Sequence, residues 1–143
     1  MFERYLQLFC DTSFFYACLD KSDADHLSAI EVAKEISRNS TRCCTTWDVV
    51  SETLTLLRYR AGNSFARLFI KNVLPTLEII EYEREIREEA LRLFLKFNED
   101  HKLSFCDCIS YVVIIDQLGR IPCASFDDDF KTLGLIVVPN PKE

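Results

Sequence analysis

The sequence has little glycine, and what it has is scattered. Gly62, Gly119 and Gly134 are the only three in 143 residues, so neither GxGxxG nor GxxxxGK[ST] can be written anywhere. A backbone cradle for nucleotide phosphates is excluded. Histidine is scarcer still, with His26 and His101 far apart, and the seven cysteines (Cys10, Cys18, Cys43, Cys44, Cys106, Cys108, Cys123) contain no CxxC. Cys106 and Cys108 stand two apart on an expected helix and so face different directions, which argues against a structural zinc site. An odd number of cysteines set in apolar patches reads as small hydrophobes in a reducing, cytoplasmic compartment. Long apolar runs are also missing. The longest, residues 14–19, has six residues against the ~20 needed to cross a bilayer. The start, MFERYLQLFCD, has no basic region followed by an apolar stretch, so neither secretion nor a membrane partner is expected. Basic charge is in deficit, 17 Lys and Arg against 23 Asp and Glu for a net −6. That excludes a generic polycationic nucleic-acid coat, whose affinity comes from neutralising many phosphates. Phosphate chemistry here would have to recruit positive charge from elsewhere.

What is present is an alternation of short apolar stretches with helical periodicity. RYLQLFC (4–10) reads as a strand, followed by helices over 13–19 and 23–38. RCCTTW (42–47) reads as a second strand, and helices over 48–60 and 62–74 follow, broken at Gly62. LEIIEY makes a third strand after Pro75. Helices over 83–98 and 104–118 come next, then short strands IPCAS (121–125) and LIVV (135–138). Such alternation predicts one α/β domain over 1–143, a three-layer α/β/α sandwich on a central parallel sheet of about five strands.

Ligands bind beyond the carboxyl ends of strands in such a sheet, and acids collect there. Asp11 ends the first strand, and Asp127 follows the fourth, in SFDDDF. Glu52 lies early in the helix after the second strand, and Asp107 in the first turn of the helix before the fourth. Whether that last helix begins near Asp11 depends on a loop path that the sequence does not reveal. Each acid except Glu52, which sits past the first turn of its helix, also has a bland explanation. Ser104–Asp107 and Thr45–Asp48 read as capping boxes, Asp127, Asp128 and Asp129 as macrodipole partners, and Asp11 as a turn residue. A true cluster would be another matter, because two carboxylates about 5 Å apart repel by roughly 3 kcal/mol at an effective dielectric near 20. Oxygen-only ligands of this kind suit Mg²⁺ or Mn²⁺, which take substrate phosphate into their shell. The chemistry that follows is metal-dependent phosphodiester hydrolysis without a covalent intermediate.

The motifs Asp11-Thr12-Ser13, TTWDVVSETL around Glu52, LSFCDCISYVVI around Asp107 and CASFDDDF around Asp127 together resemble the PIN-domain ribonucleases. Within these the match is to VapC-type toxins of prokaryotic toxin–antitoxin pairs, over residues 6–138. The last two motifs are the most specific, Asp127 lying 20 positions after Asp107. The resemblance implies that Asp11, Glu52, Asp107 and Asp127 are catalytic metal ligands, with Asp129 a candidate fifth acid. It implies that Thr12, Ser13 and Ser125 orient ligands or phosphate. It also implies Mg²⁺ or Mn²⁺ as cofactor, RNA as substrate, a cognate antitoxin and a homodimer. The run Asp127-Asp128-Asp129 leaves the fourth acid open, the S-x-D-x-x-F frame favouring Asp127. Arg58, Arg60, Arg67 and Lys71 lie where no acid occurs between Glu52 and Glu78. They read either as a solvated face or as an RNA-backbone track.

Two other readings compete with this one. A non-catalytic PIN-like module that binds RNA or protein would retain four acids whose repulsion only costs stability. A phosphatase or receiver domain would need a second aspartate two residues after Asp11, where Ser13 stands, or an acidic pair near the first strand.

Overall fold

Leu8, Phe9 and Cys10 are fully buried, an unbroken apolar run rather than an alternation, which is what a central parallel strand covered on both faces requires. The computed structural model describes residues 5–97 and 103–140, and in it these residues form the middle of β1 (Gln7–Cys10). Around it lie β2 (Arg42–Thr45), β3 (Glu78–Ile79), β4 (Cys123–Ala124) and β5 (Val137–Val138), all parallel in the order β3-β2-β1-β4-β5. The expected five-stranded parallel α/β sheet is observed. Strand order reverses at β1, so the crevice beyond the carboxyl ends of β1 and β4 is the topological switch point where such folds bind ligands.

The helices are α1 (Thr12–Leu19), α2 (His26–Asn39), α3 (Trp47–Leu56), α4 (Asn63–Leu68), α5 (Arg84–Phe97), α6 (Phe105–Val112) and α7 (Asp128–Thr132). Right-handed crossovers put the β1–β2 and β2–β3 connections on one face and the later two on the other. In keeping with this, α1 packs on α2 and α3, and α5 packs on α6. Phe15 and Phe69 meet edge to face at 5.2 Å between ring centroids under the first face.

Several boundaries differ from expectation. Trp47 is not in β2: Thr46 Oγ1 accepts the N–H of Val49 at 3.3 Å and starts α3 there. The cap is thus Thr46 rather than Thr45, whose hydroxyl is taken by the Cys10 carbonyl at 2.7 Å. β3, β4 and β5 are two residues each, shorter than the apolar runs that carry them; β3 and β5 are edges with a partner on one side only. The polar segment after Asp127 forms α7, the helix N-terminus that the macrodipole reading of the three aspartates implied but that no apolar periodicity marked. Asn98, the end of the expected fifth helix, and His101 lie outside the described residues. The last turn of α3 widens, Gly62 N–H donating to the Leu57 carbonyl at 2.8 Å. Gly62 then adopts φ +115°, a region open to glycine, and the chain turns back into α4.

Candidate active site

Two of the four acids are helix N-caps, a third closes a capping box, and Asp107 feels the charge of the other three. Asp11 caps α1 and is 3% exposed. Its Oδ2 accepts from Ser13 Oγ at 2.9 Å, Ser125 Oγ at 2.9 Å and Ser13 N at 3.4 Å. Each of these hydroxyls has a single proton, and both are spent on Asp11. Each hydroxyl oxygen in turn accepts a backbone N–H, Ser125 from Asp127 (3.0 Å) and Ser13 from Phe126 (2.9 Å). The ends of β1 and β4 are therefore tied together through Asp11, and Asp127 is held by the same knot.

Asp127 caps α7, its Oδ1 accepting the N–H of Asp129 at 3.0 Å. Asp107 is the third residue of α6 in a reciprocal capping box, Ser104 N donating to Oδ2 at 3.2 Å and Asp107 N to Ser104 Oγ at 3.0 Å. Glu52, half-buried on α3, accepts Thr12 Oγ1 at 2.7 Å, and Thr12 accepts the fully buried Thr53 hydroxyl at 3.4 Å. The bland and functional readings thus coincide. The acids cap helices, and because α1 and α6 begin at the same edge, their positive ends face the accumulated negative charge.

That charge is felt. Burial pushes Asp11 up to about 6 against the hydrogen bonds from Ser13, Ser125 and Thr12, and Asp127 raises it further. Burial, then the charges of Asp11 and Asp127, push Asp107 up to about 7, with Ser104 N–H opposing and Glu52 adding. Asp127 is raised by burial first and by the neighbouring Asp129 and Asp128 carboxylates, with the Asp129 N–H opposing. Asp127 acts on both Asp11 and Asp107, whereas Asp129 acts on Asp127 and Asp128 is exposed. Of the three consecutive aspartates, Asp127 is the one coupled to the others.

Sequence reasoning overlooked Cys106. Burial, then the charges of Glu52, Asp107 and Asp11, hold its thiol protonated, so it lines the acids as a neutral donor and not as a nucleophile. It also overlooked Thr53, a buried hydroxyl one residue after Glu52. Arg58, Arg60, Arg67 and Lys71 are all exposed on the α3–α4 pair. Among the described residues none of them joins an ion pair. Replacing Ser125 with alanine is expected to cost about 1–3 kcal/mol, because the buried Asp11 carboxylate loses a donor and the half-buried Asp127 N–H its acceptor, and to move Asp11 further up in pKa. Urea denaturation and NMR titration of the Asp11 carboxyl would read the two effects, and an unchanged titration would refute the knot.

A family model for the PIN domain matches residues 8–135. The chain belongs to the PIN-domain family. This PIN domain is 30% identical over 132 residues to the 23S rRNA-specific endonuclease VapC20 of Mycobacterium tuberculosis, covering 92% of this chain and 97% of that protein. It is 28% identical over 123 residues to a VapC ribonuclease of Archaeoglobus fulgidus, covering 84% and 76%. The crystal structure of M. tuberculosis VapC20, a Sarcin-Ricin loop cleaving toxin, superposes with TM-score 0.77 at 25% identity over 90% of this chain and 96% of that one. VapBC2 of Rickettsia felis, solved with a DNA fragment from its promoter, shares the fold, with TM-score 0.67 at 14% identity over 92% and 96%. The VapC-type resemblance of the motifs and the membership of the whole chain agree.

Proposed function

We propose that this PIN domain is a metal-dependent endoribonuclease, hydrolysing RNA phosphodiester bonds as the toxin of a toxin–antitoxin pair. The observation that supports the proposal is the electrostatic coupling of Asp107 to Asp11, Asp127 and Glu52, with Asp11 and Asp107 pushed up to about 6 and about 7 by burial and neighbouring charge. Perturbed carboxyls in a cleft mark a working site more often than a structural one. The kinship with ribonucleases of VapC type supports the same reading.

The donor chemistry fits a hard divalent cation: four carboxylates, with no imidazole among them. Among the described residues no three His, Cys, Asp or Glu side chains converge into a ready-made shell. Mg²⁺ does not require one, since it keeps several waters and is held by one or two carboxylates plus substrate phosphate. Asp11, Glu52, Asp107 and Asp127 would hold it, directly or through water, with Asp129 beside Asp127. When bound, Mg²⁺ or Mn²⁺ would supply positive charge against the substrate phosphate and acidify an attacking water. The chain's own residues do the positioning. Ser13 and Ser125 fix the Asp11 carboxylate, Thr12 and Thr53 orient Glu52, and the Ser104 box fixes Asp107. Arg58, Arg60, Arg67 and Lys71 would track the RNA backbone. A cytoplasmic location, a homodimer and an antitoxin partner complete the proposal. Among the described residues no helix is long and apolar enough to cross a membrane.

Purified protein incubated with RNA should cleave it with Mg²⁺ or Mn²⁺ and stop with EDTA. Metal-independent cleavage would refute the mechanism. A non-catalytic module, the other reading, would bind RNA without cutting it and take up no Mn²⁺ in calorimetry. Arg67→Ala and Lys71→Ala should each lower the salt-dependence slope of single-stranded RNA binding by about 0.7, one released counterion apiece. An unchanged slope would reassign both as solvated residues.

A further inference from the structure

Tyr59 is 82% exposed, and it sits between Arg58 and Arg60 in the widened last turn of α3 (residues 57–61). An aromatic ring so far out in water is left largely uncovered by the described residues. Beside it, between α3 and α4, opens a cleft of about 400 Å³ lined by Ser51, Leu54, Thr55, Arg58, Tyr59 and Ile70. Its walls are mixed, apolar from Leu54, Ala66 and Ile70 and hydroxylic from Ser51 and Thr55. Flat, partly polar rings suit such walls better than an aliphatic side chain does.

The cleft begins at Ser51, next to Glu52, and extends to Tyr59, about two helical turns and roughly 10 Å further along the axis. That places it within reach of a nucleotide adjoining a phosphate held at the acids. Arg58 Nε donates to Asn63 Oδ1 at 3.2 Å, so its guanidinium is braced across the α3–α4 break rather than free to wander. The surrounding charge is uniform: residues 53–77 contain four basic side chains and no acid. An anionic, aromatic ligand is the complement of this surface.

We propose that the α3–α4 cleft is a nucleobase subsite, in which an unpaired base of the RNA substrate stacks on Tyr59 while Arg58 and Arg60 hold the adjoining phosphates. The inference rests on the ribonuclease reading and adds to it a residue that selects single-stranded or flipped-out nucleotides next to the cut. Stacking on an aromatic side chain tolerates any base, since every base offers a π face. Specificity would therefore come from strandedness more than from sequence at this position.

The test uses fluorescein-labelled single-stranded oligoadenylate and oligouridylate 12-mers, with anisotropy read in EDTA on an Asp107→Asn background so that nothing is cut. Tyr59→Ala should weaken binding about 5- to 150-fold, and Tyr59→Phe or Tyr59→Trp should retain it. The salt slope should stay unchanged in Tyr59→Ala, since a neutral ring releases no counterion, and should fall in Arg58→Ala. An abasic nucleotide that reproduces the Tyr59→Ala loss, with no further loss in combination, would identify the stacked base. Unchanged affinity in Tyr59→Ala overturns the subsite and leaves the surface to a protein partner, and equal losses in Tyr59→Ala and Tyr59→Phe overturn stacking. These outcomes are separable from failure of the parent reading. Metal-independent cleavage would refute the nuclease mechanism while leaving a Tyr59-dependent affinity intact.

Discussion

Asp107→Asn is expected to abolish metal-dependent RNA cleavage while making the metal-free protein more stable at about pH 8. Loss of activity should be on the order of 10²–10³-fold or more, the scale seen when a single preorganised electrostatic partner is removed from a site. The gain in stability follows from linkage. Asp107 is raised to about 7 in the folded protein against about 3.9 unfolded. Between those values the folded state binds more protons, so stability falls as pH rises through the window, and above it the whole penalty is present. Asparagine carries no charge and removes that penalty, worth about 1–3 kcal/mol after allowance for relaxation and coupling. It also keeps the local fold, because its amide oxygen can still accept the Ser104 N–H that closes the capping box. The advantage should shrink on acidification and vanish below about pH 3, where the carboxyl is neutral in both states. Thermal melts of both proteins in EDTA at three pH values would measure it. A variant less stable than the parent at every pH would mean that Asp107 is only a cap.

The alternation of periods revealed the strands and helices because each apolar run must be covered, and coverage leaves a pattern. Strand order left no such mark. Nothing in RCCT or CA says that β1 lies between β2 and β4, since pairing depends on crossover handedness and on the loop that returns α6 to the switch point. The same gap made Asp107 the uncertain acid in the sequence, although its capping box was readable residue by residue. The Thr46 cap was read one position early because two threonines stand in a row and only the demand of Cys10 for the Thr45 hydroxyl separates them. α7 was hidden in DDDFKT, a polar stretch with too few apolar positions to show a period. The acids themselves were legible as spacing, but their support was not. Ser13 and Ser125 are 112 positions apart, and only the folded strand ends reveal that both hydroxyls serve one carboxylate. Cys106 and Tyr59 were missed for opposite reasons. Cys106 looks like core filling until the charges of Glu52, Asp107 and Asp11 are seen to reach it, and Tyr59 looks like core until it proves to be exposed.

Divalent-metal affinity should therefore rise steeply with pH below about 7 and level off above it. A cation needs the carboxylates ionised, and in the metal-free protein Asp11 holds its proton to about 6 and Asp107 to about 7. Below both values two protons must leave for each ion that enters, so the logarithm of affinity gains up to about two units per pH unit. Between the two values it gains about one, and above both none. Ordinary carboxylates, already ionised by about pH 5, would give a flat profile over the same range. Mn²⁺ titration by calorimetry at about pH 5.5, 6.5 and 7.5 separates these cases, and repeating it in buffers of different ionisation enthalpy counts the released protons directly. Stability should follow: Mn²⁺ should raise the melting temperature strongly near pH 8, where the empty cluster repels itself, and little near pH 5.5, where protons already neutralise it. Removing the Asp127 charge with Asp127→Asn should shift the midpoint of the profile toward acid, because its charge raises both Asp11 and Asp107. An Mn²⁺ affinity independent of pH from 5.5 to 7.5 would show that the ion does not sit among these carboxyls.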